Sequence, residues 1–209
     1  WESNGTLLET MLRALGQTVT QCCVVADQPA ALSQALQTLA AQCDVVVSTG
    51  GVSAGDSDWI RPLVADLGEV AFWKLFLRPG RPFAFGTLGD NIPFFGLPGN
   101  PVAAAITALQ LLWPALQQLE GQTTIELFPR VQVVLADRLA RRPGRPELAR
   151  ARLETREDGT LIARVDGSQA SSRIGSLQQA DLLLEVPADA GTLDPGVPLW
   201  AQLIRRRLF

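Results

Sequence analysis

The chain has 209 residues, a formal net charge of −3 and 47% hydrophobic residues, so it can bury a real core, and its acidic balance argues against general nucleic-acid binding. It has no His and three Cys, which excludes a Ser-His-Asp triad, a Cys-His dyad, a His-ligated zinc and a four-cysteine zinc cage. Any bound metal is expected to be a hard ion held by oxygens, such as Mg²⁺, and the thiols of Cys22, Cys23 and Cys43 are expected to stay reduced in the cytoplasm.

The length admits one large or two small domains. The first residue is Trp rather than Met, and a helical pattern begins almost at once, so the chain reads as a piece of a larger protein or a processed product. Leu7, Leu8, Met11, Leu12 and Leu15 recur at helical spacing, with Ser3 or Asn4 as N-cap and Gly16 as the stop. Thr18–Val25 reads as a strand. Asp27-Gln28-Pro29 opens a second helix with Leu32, Leu36 and Leu39 on one face. Asp44–Ser48 is a short strand with an apolar centre, of the kind buried on both faces. The glycine-rich stretch Gly50–Asp58 follows it and leads into a helix around Trp59–Leu67.

Glu69–Leu77 reads as another strand. Pro82–Gly86 and Ile92–Phe95 form a hairpin across Gly89-Asp90-Asn91. Asn100-Pro101 starts a long apolar helix that reaches about Gly121. This β/α alternation predicts a mostly parallel sheet with helices on both faces. The character then changes, with a boundary near Gly121–Thr124. Strand patterns at Val131–Ala136, Glu147–Arg156, Thr160–Val165, Ala180–Val186 and Pro198–Ile204 predict a small all-β barrel or sandwich. Residues 1–121 are thus expected to form an α/β domain, and residues 122–209 a β domain.

The strongest local feature is the run from Thr49-Gly50-Gly51 through Ser53 and Gly55 to Asp58. It lies between a strand and a helix, where open α/β sheets bind ligands. Its glycines let backbone amides approach an anion. Its plainer reading is a glycine-rich turn with a capping residue. Asp58 could hold Mg²⁺ or simply favour the helix dipole, and Asp27 sits where a helix N-cap belongs. Gly96-Leu97-Pro98-Gly99-Asn100-Pro101 is a second strand-to-helix loop, either an anion cradle or a rigid turn. Lys74, the only lysine, lies in the strand Val70–Leu77, and Arg78 and Arg81 follow. Three cations beside glycine loops suit an oxyanion, although a solvated strand end would look similar. Arg141, Arg142, Arg145, Arg150 and Arg152 form a basic cluster that reads as a solvated face. Ser171, Ser172 and Ser176 read as a turn, and the thiols as buried fillers.

Taken in order, Thr49-Gly50-Gly51-Val52-Ser53 with Asp56 and Asp58, then Phe72-Trp73-Lys74, Arg78-Pro79-Gly80-Arg81-Pro82-Phe83 and Gly96-Leu97-Pro98-Gly99-Asn100-Pro101 resemble the MoeA molybdopterin molybdenumtransferase family, which includes the E domain of gephyrin. Trp1-Glu2-Ser3-Asn4 is similar to the family's opening motif, with Glu2 in place of the usual Asp. The resemblance implies a MogA-like three-layer α/β domain and a small β domain, with the family's two N-terminal domains missing. It implies insertion of molybdate into adenylylated molybdopterin, with release of AMP and with Mg²⁺. It implies catalytic roles for Asp58, Asp27 and Lys74, and metal binding by Asp58 and Asp27. It places Thr49, Gly50, Gly51, Ser53, Gly55, Arg78, Arg81, Pro98, Gly99 and Asn100 in the binding site. Arg78 and Arg81 stand where lysines are common. The full-length protein is expected to be a homodimer that can work with a MogA-type adenylyltransferase, with no nucleic-acid or membrane partner. Two alternatives are a gephyrin-like binding or scaffolding module and a MogA-type adenylyltransferase; the β domain argues against the latter.

Overall fold

The computed structural model describes residues 3–52, 59–165, 169–170, 172 and 174–204. The chain divides into two compact units. The first comprises Trp1–Leu75 and Gly80–Ile125, and the second comprises Phe76–Pro79 and Glu126–Phe209.

In the first unit α1 spans Asn4–Ala14 and ends in a left-handed glycine cap. Gly16 has φ +86°, its amide donates to the Arg13 carbonyl, and the Gln17 amide donates to that of Leu12. α2 spans Pro29–Ala40 with Pro29 in its first turn. A residue before proline is pushed to extended backbone, so the N-cap is Gln28, at φ −131° and ψ 130°, and not Asp27.

Strand β1 (Val46–Thr49), helix α3 (Ile60–Leu67), strand β2 (Gly68–Trp73) and the hairpin β3 (Ala84–Leu88) and β4 (Ile92–Leu97) follow. The sheet order is β1-β4-β3-β2. Only β1 and β4 run parallel; the β4–β3 and β3–β2 pairs are antiparallel. The expected mostly parallel sheet is therefore a mixed sheet among the described residues, because two of its four strands are a hairpin and a third folds straight back on it. Among the described residues, Thr18–Val25 pairs with no strand. Val19 and Gln21–Val25 instead line a cavity that Val46 and Val47 of β1 also line. Of the β1 residues, only Val46 is buried.

Successive side chains of a strand point to opposite faces. Phe94 packs with Val46, Ala84 and Leu88 against Leu36 of α2 and Ile60 and Val64 of α3. Phe95 and Leu97 pack with Phe83 on the other face, against Leu8 of α1 and Ala104, Ala108, Leu112 and Leu116. The last four belong to one continuous helix, made of α4 (Pro101–Thr107), a wide π turn (Ala108–Leu112) and α5 (Trp113–Leu119). Pro114 cannot donate to the carbonyl of Gln110 and its ring crowds that group, so the turn before it widens. Pro101–Leu119 is apolar and long enough to cross a membrane, but it packs here as a core helix, with Val102 and Ala104–Ile106 fully buried.

The second unit is a closed barrel in the order β5-β7-β6-β8-β9. Its strands are β5 (Arg130–Leu135), β6 (Glu147–Thr155), β7 (Leu161–Arg164), β8 (Leu182–Val186) and β9 (Pro198–Leu203), with a one-turn helix α6 (Gly175–Gln178) before β8. β5 and β7 run parallel, and every other pair is antiparallel. Alternate residues Ala149 and Ala151, Leu182 and Leu184, and Val133 and Leu135 fill the core. The first five residues of β6 are all buried, which departs from the alternation and takes Glu147 and Arg150 inside with them.

Candidate functional site

The strand register sets the site. Thr49 of β1 lies opposite Leu97 of β4, Gly96 opposite Ala84 of β3, and Ala84 opposite Trp73 of β2. The carboxyl ends of β1, β4 and β2 therefore leave the sheet at one end. Three candidate segments begin there: Thr49-Gly50-Gly51, Pro98-Gly99-Asn100 and Lys74. Across three strand spacings they spread over about 14 Å. Ligands of open α/β sheets bind beyond this end.

The first two loops touch. Gly50 donates its amide to the Leu97 carbonyl at 3.1 Å. A Cβ on Gly99 would stand 3.4 Å from the Gly50 Cα. Gly50 and Gly51 have φ of +80° and +63°, a tandem that side chains resist. Asn4 of α1 donates its side-chain amide to the Gly99 carbonyl at 2.8 Å, which steadies the second loop from below. Pro98 is buried, whereas Gly99 and Asn100 are exposed. Asn100 holds the N-cap position through its backbone, and its side chain makes no capping hydrogen bond. Ser48 Oγ is buried and has no hydrogen-bond partner among the described residues.

A cavity of about 520 Å³ opens beside the first loop. Asp27, Ser48, Thr49, Gly50 and Gly51 line it, together with apolar Leu8, Leu12, Leu36 and Val46. Asp27 thus shares a cavity with the glycine loop, one position ahead of the helix cap. Ser53, Gly55, Asp56 and Asp58 lie outside the described residues, as do Trp1, Glu2 and Ser171.

Lys74 is not inside a strand. β2 ends at Trp73, and Lys74 takes φ +76°. Its amide donates to the Phe83 carbonyl at 2.8 Å and that of Leu75 to the Arg81 carbonyl at 2.9 Å, so Lys74 is backed by Phe83 and Arg81 by Leu75. Lys74 and Arg81 are both exposed. Arg78 belongs to the second unit. Its amide donates to the Pro146 carbonyl and its carbonyl accepts from the Leu148 amide.

The arginine cluster is a solvated face only in part: Arg142 and Arg152 are exposed and Arg145 is half-buried, but two of its members are buried. Arg141 is 8% exposed and Arg150 2%. Arg141 donates to the carbonyls of Pro187 and Arg145. Arg150 donates to Ser176 Oγ at 2.9 Å and to the Ala170 carbonyl at 3.3 Å. Desolvation pulls the Arg150 guanidinium below its ordinary pKa, and the charge of Glu147 opposes that shift. Glu147, 4% exposed, was no candidate in the sequence. Its one signal is an acid opening a strand in an arginine-rich stretch. The thiols of Cys22 and Cys23 are exposed rather than buried.

For a divalent cation the described residues offer Asp27 and the Thr49 hydroxyl, which line the same cavity. They contain no group of three or more acidic or thiol side chains able to cage a metal. That donor set fits Mg²⁺, which keeps several waters and takes one or two carboxylates together with substrate phosphate.

A family model described as a probable molybdopterin binding domain matches residues 2–118, and one for the MoeA C-terminal region (domain IV) matches residues 132–199. The chain is 30% identical over 196 residues to a molybdopterin molybdenumtransferase of Haemophilus influenzae, covering 94% of this chain and 48% of that protein. It is 30% identical to gephyrin of Dictyostelium discoideum, covering 97% of this chain and 32% of that one. A solved MoeA protein of Pyrococcus horikoshii superposes with a TM-score of 0.79 at 23% identity, over 98% of this chain and 48% of that one. A molybdenum cofactor biosynthesis protein of Pyrococcus furiosus gives 0.74 at 25% identity, over 97% and 64%. The chain spans about half the length of the Haemophilus relative and about a third of the Dictyostelium one.

Proposed function

Because the chain belongs to the MoeA/gephyrin family, we propose that it forms the molybdopterin-binding part of a molybdopterin molybdenumtransferase, which inserts molybdate into adenylylated molybdopterin and releases AMP. The observation that carries this reading is the convergence of the Thr49–Gly51 loop, the Pro98–Asn100 loop and Lys74 at one end of the sheet. The MoeA C-terminal match over the barrel favours this activity over the MogA-type step.

In this reading the backbone amides of the two loops bind phosphate oxygens of the substrate, since glycines leave the backbone open to an anion. Lys74 and Arg81 in the first unit, and Arg78 in the second, are each suited to attract molybdate, Lys74 as a compact charge and the arginines through paired N–H groups. Asp27 and Asp58 would hold Mg²⁺, with Ser53 and Gly55 in the same glycine-rich run of sequence as Asp58. When bound, the ion supplies neutralisation of charge on phosphoryl oxygens. No imidazole base is needed, because molybdate arrives already an anion and AMP leaves as one. The MogA-like arrangement of the first unit, a homodimer of the longer protein, cooperation with a MogA-type enzyme and a cytoplasmic setting belong to the same proposal.

Calorimetric titration of adenylylated molybdopterin into the chain, with and without Mg²⁺, tests it. Saturable binding without cofactor formation is expected, weakened at least about tenfold by Asp58→Ala in Mg²⁺ and unchanged by it in chelator. Absence of binding, or equal Mg²⁺-dependent affinity in the variant, overturns it.

A further inference from the structure

The short segment Phe76–Pro79 is fastened to the barrel unit at every polar point of its backbone that matters for Arg78. The Arg78 amide donates to Pro146 at 3.0 Å, and its carbonyl accepts from Leu148 at 2.8 Å, a parallel bridge opposite Glu147. The Arg145 guanidinium donates to the Leu77 carbonyl at 3.0 Å. The stem of Arg78 is therefore fixed, while its side chain remains 48% exposed.

A buried acid lies beside the head of that side chain. The Arg78 Nη1 lies 3.6 Å from Glu147 Oε2, whose side chain is only 4% exposed. The same oxygen lies 3.4 Å from Arg141 Nε. The two terminal nitrogens of Arg141 are committed to the carbonyls of Pro187, at 2.5 Å, and Arg145, at 2.7 Å. Arg141 is thus a buried counter-charge, and Arg78 is the member of the trio that reaches solvent. Two guanidinium groups and one carboxylate leave a net charge of about +1 on the trio. Beyond this ion pair, the Arg78 guanidinium makes no hydrogen bond among the described residues.

We infer that Glu147 is a positioning residue for Arg78. Its charge, 3.6 Å from Nη1 and beyond hydrogen-bond range, draws that corner of the guanidinium inward and leaves the remaining N–H groups to receive a tetrahedral oxyanion. The inference rests on the molybdate-binding role proposed for Arg78. It also gives a physical reason for arginine at this position. A planar guanidinium has five N–H donors and can serve a buried carboxylate and an incoming anion together, whereas an ammonium would be drawn onto the carboxylate. Arg141 completes the arrangement by keeping Glu147 from cancelling the charge that the anion meets.

The test uses the whole chain, uniformly labelled with ¹⁵N, and molybdate as the probe. The Arg78 Nε–H signal is assigned by its loss in Arg78→Lys. In the native chain it is expected to stand apart from the signals of solvated arginines before molybdate is added, and to shift saturably with it. Glu147→Gln should merge it with the signals of solvated arginines and raise the Kd for molybdate at least about tenfold. It should raise it no further in the Arg78→Lys background. Glu147→Asp, which keeps the charge but withdraws it by one methylene, serves if the glutamine variant fails to fold, and should give a rise of about threefold. An unchanged Arg78 signal and Kd in the foldable variant overturns the inference. So does an equal loss with and without Arg78, which would mark a merely structural role. If molybdate leaves the native signal unmoved while the variant still releases it, the proposed molybdate role fails and the positioning by Glu147 stands.

Discussion

The Gly50 amide and the Leu97 carbonyl are joined by a hydrogen bond of 3.1 Å, which extends the β1–β4 ladder one step past the end of β1. The glycine loop is thereby held to the last residue of β4. Both Gly50 and Gly51 lie at positive φ, but their surroundings differ. A Cβ at Gly50 would meet nothing within 4 Å, whereas one at Gly51 would stand 2.7 Å from Ile60 Cγ1. Gly50→Ala should therefore cost about 1–2 kcal/mol, from backbone strain alone. Gly51→Ala should cost a further 1–3 kcal/mol or so from crowding. Urea unfolding midpoints separate the two, and equal losses would refute the crowding argument.

Lys74 takes a backbone conformation that a lysine resists, at φ +76°. Lys74→Gly relieves that strain, about 1–2 kcal/mol, while loosening the unfolded chain by about 0.5–1 kcal/mol. Stability should hold or rise by up to roughly 1 kcal/mol, and molybdate binding should fall. Thermal unfolding and anion titration of the same variant check both signs. A loss of stability would show that the side chain does structural work.

Removing one partner from a buried ion pair leaves a charge without compensation. Arg141→Met should destabilise the barrel by about 3–5 kcal/mol, because Glu147 then faces only the half-exposed Arg78. Adding Glu147→Gln to that variant should recover part of the loss. Chemical denaturation of the two variants measures it, and additive losses would contradict the coupling.

Acid should weaken the barrel through exposed carboxylates. Glu154 is held below the ordinary carboxylate range by hydrogen bonds from Arg164, and Asp158 by the Thr160 amide in the turn before β7. Both folded values lie below the unfolded ones. Their contribution is therefore complete above the unfolded value and is lost as pH falls through the folded one. Unfolding midpoints between about pH 7 and pH 2 should decline towards the acid end. Glu154→Gln should flatten part of that decline, and an unaltered profile in this variant would exclude the Arg164 pair as a cause.

Local rules carried much of the fold. The α1 stop at Gly16, the Pro29 start of α2, the hairpin at Gly89–Asn91 and the five barrel strands each follow from a signal within a few residues. Thr18–Val25 shows the limit of such rules. Its β-branched pattern is real, but a strand exists only where a neighbour offers a ladder, and among the described residues this segment lines a cavity instead of joining the sheet. Lys74 fails for a similar reason: apolar neighbours extend the pattern past Trp73, while the backbone turns to return Phe83 to the sheet. The Asp27 side chain was legible as a helix-start carboxylate, yet its exact place was set by Pro29. Arg141, Arg150 and Glu147 were illegible because charge at the surface and charge under a loop look alike in a sequence. What distinguishes them is a barrel end formed by residues far apart in the chain.

The Phe76–Pro79 segment bears on how the protein is made. Four residues emitted before the first unit is complete belong to a barrel whose strands emerge only after Glu126. The Arg145–Leu77 hydrogen bond closes a loop of 68 residues. On the ribosome these four residues must wait, unpaired, until β6 arrives, and the barrel must gather a strand-like piece that left the exit tunnel long before it. A gene cut after Ile125 would therefore not yield two complete halves. The distal piece would fold with the amide of Leu148 and the carbonyl of Pro146 open to solvent, lacking the segment that meets them in the intact chain.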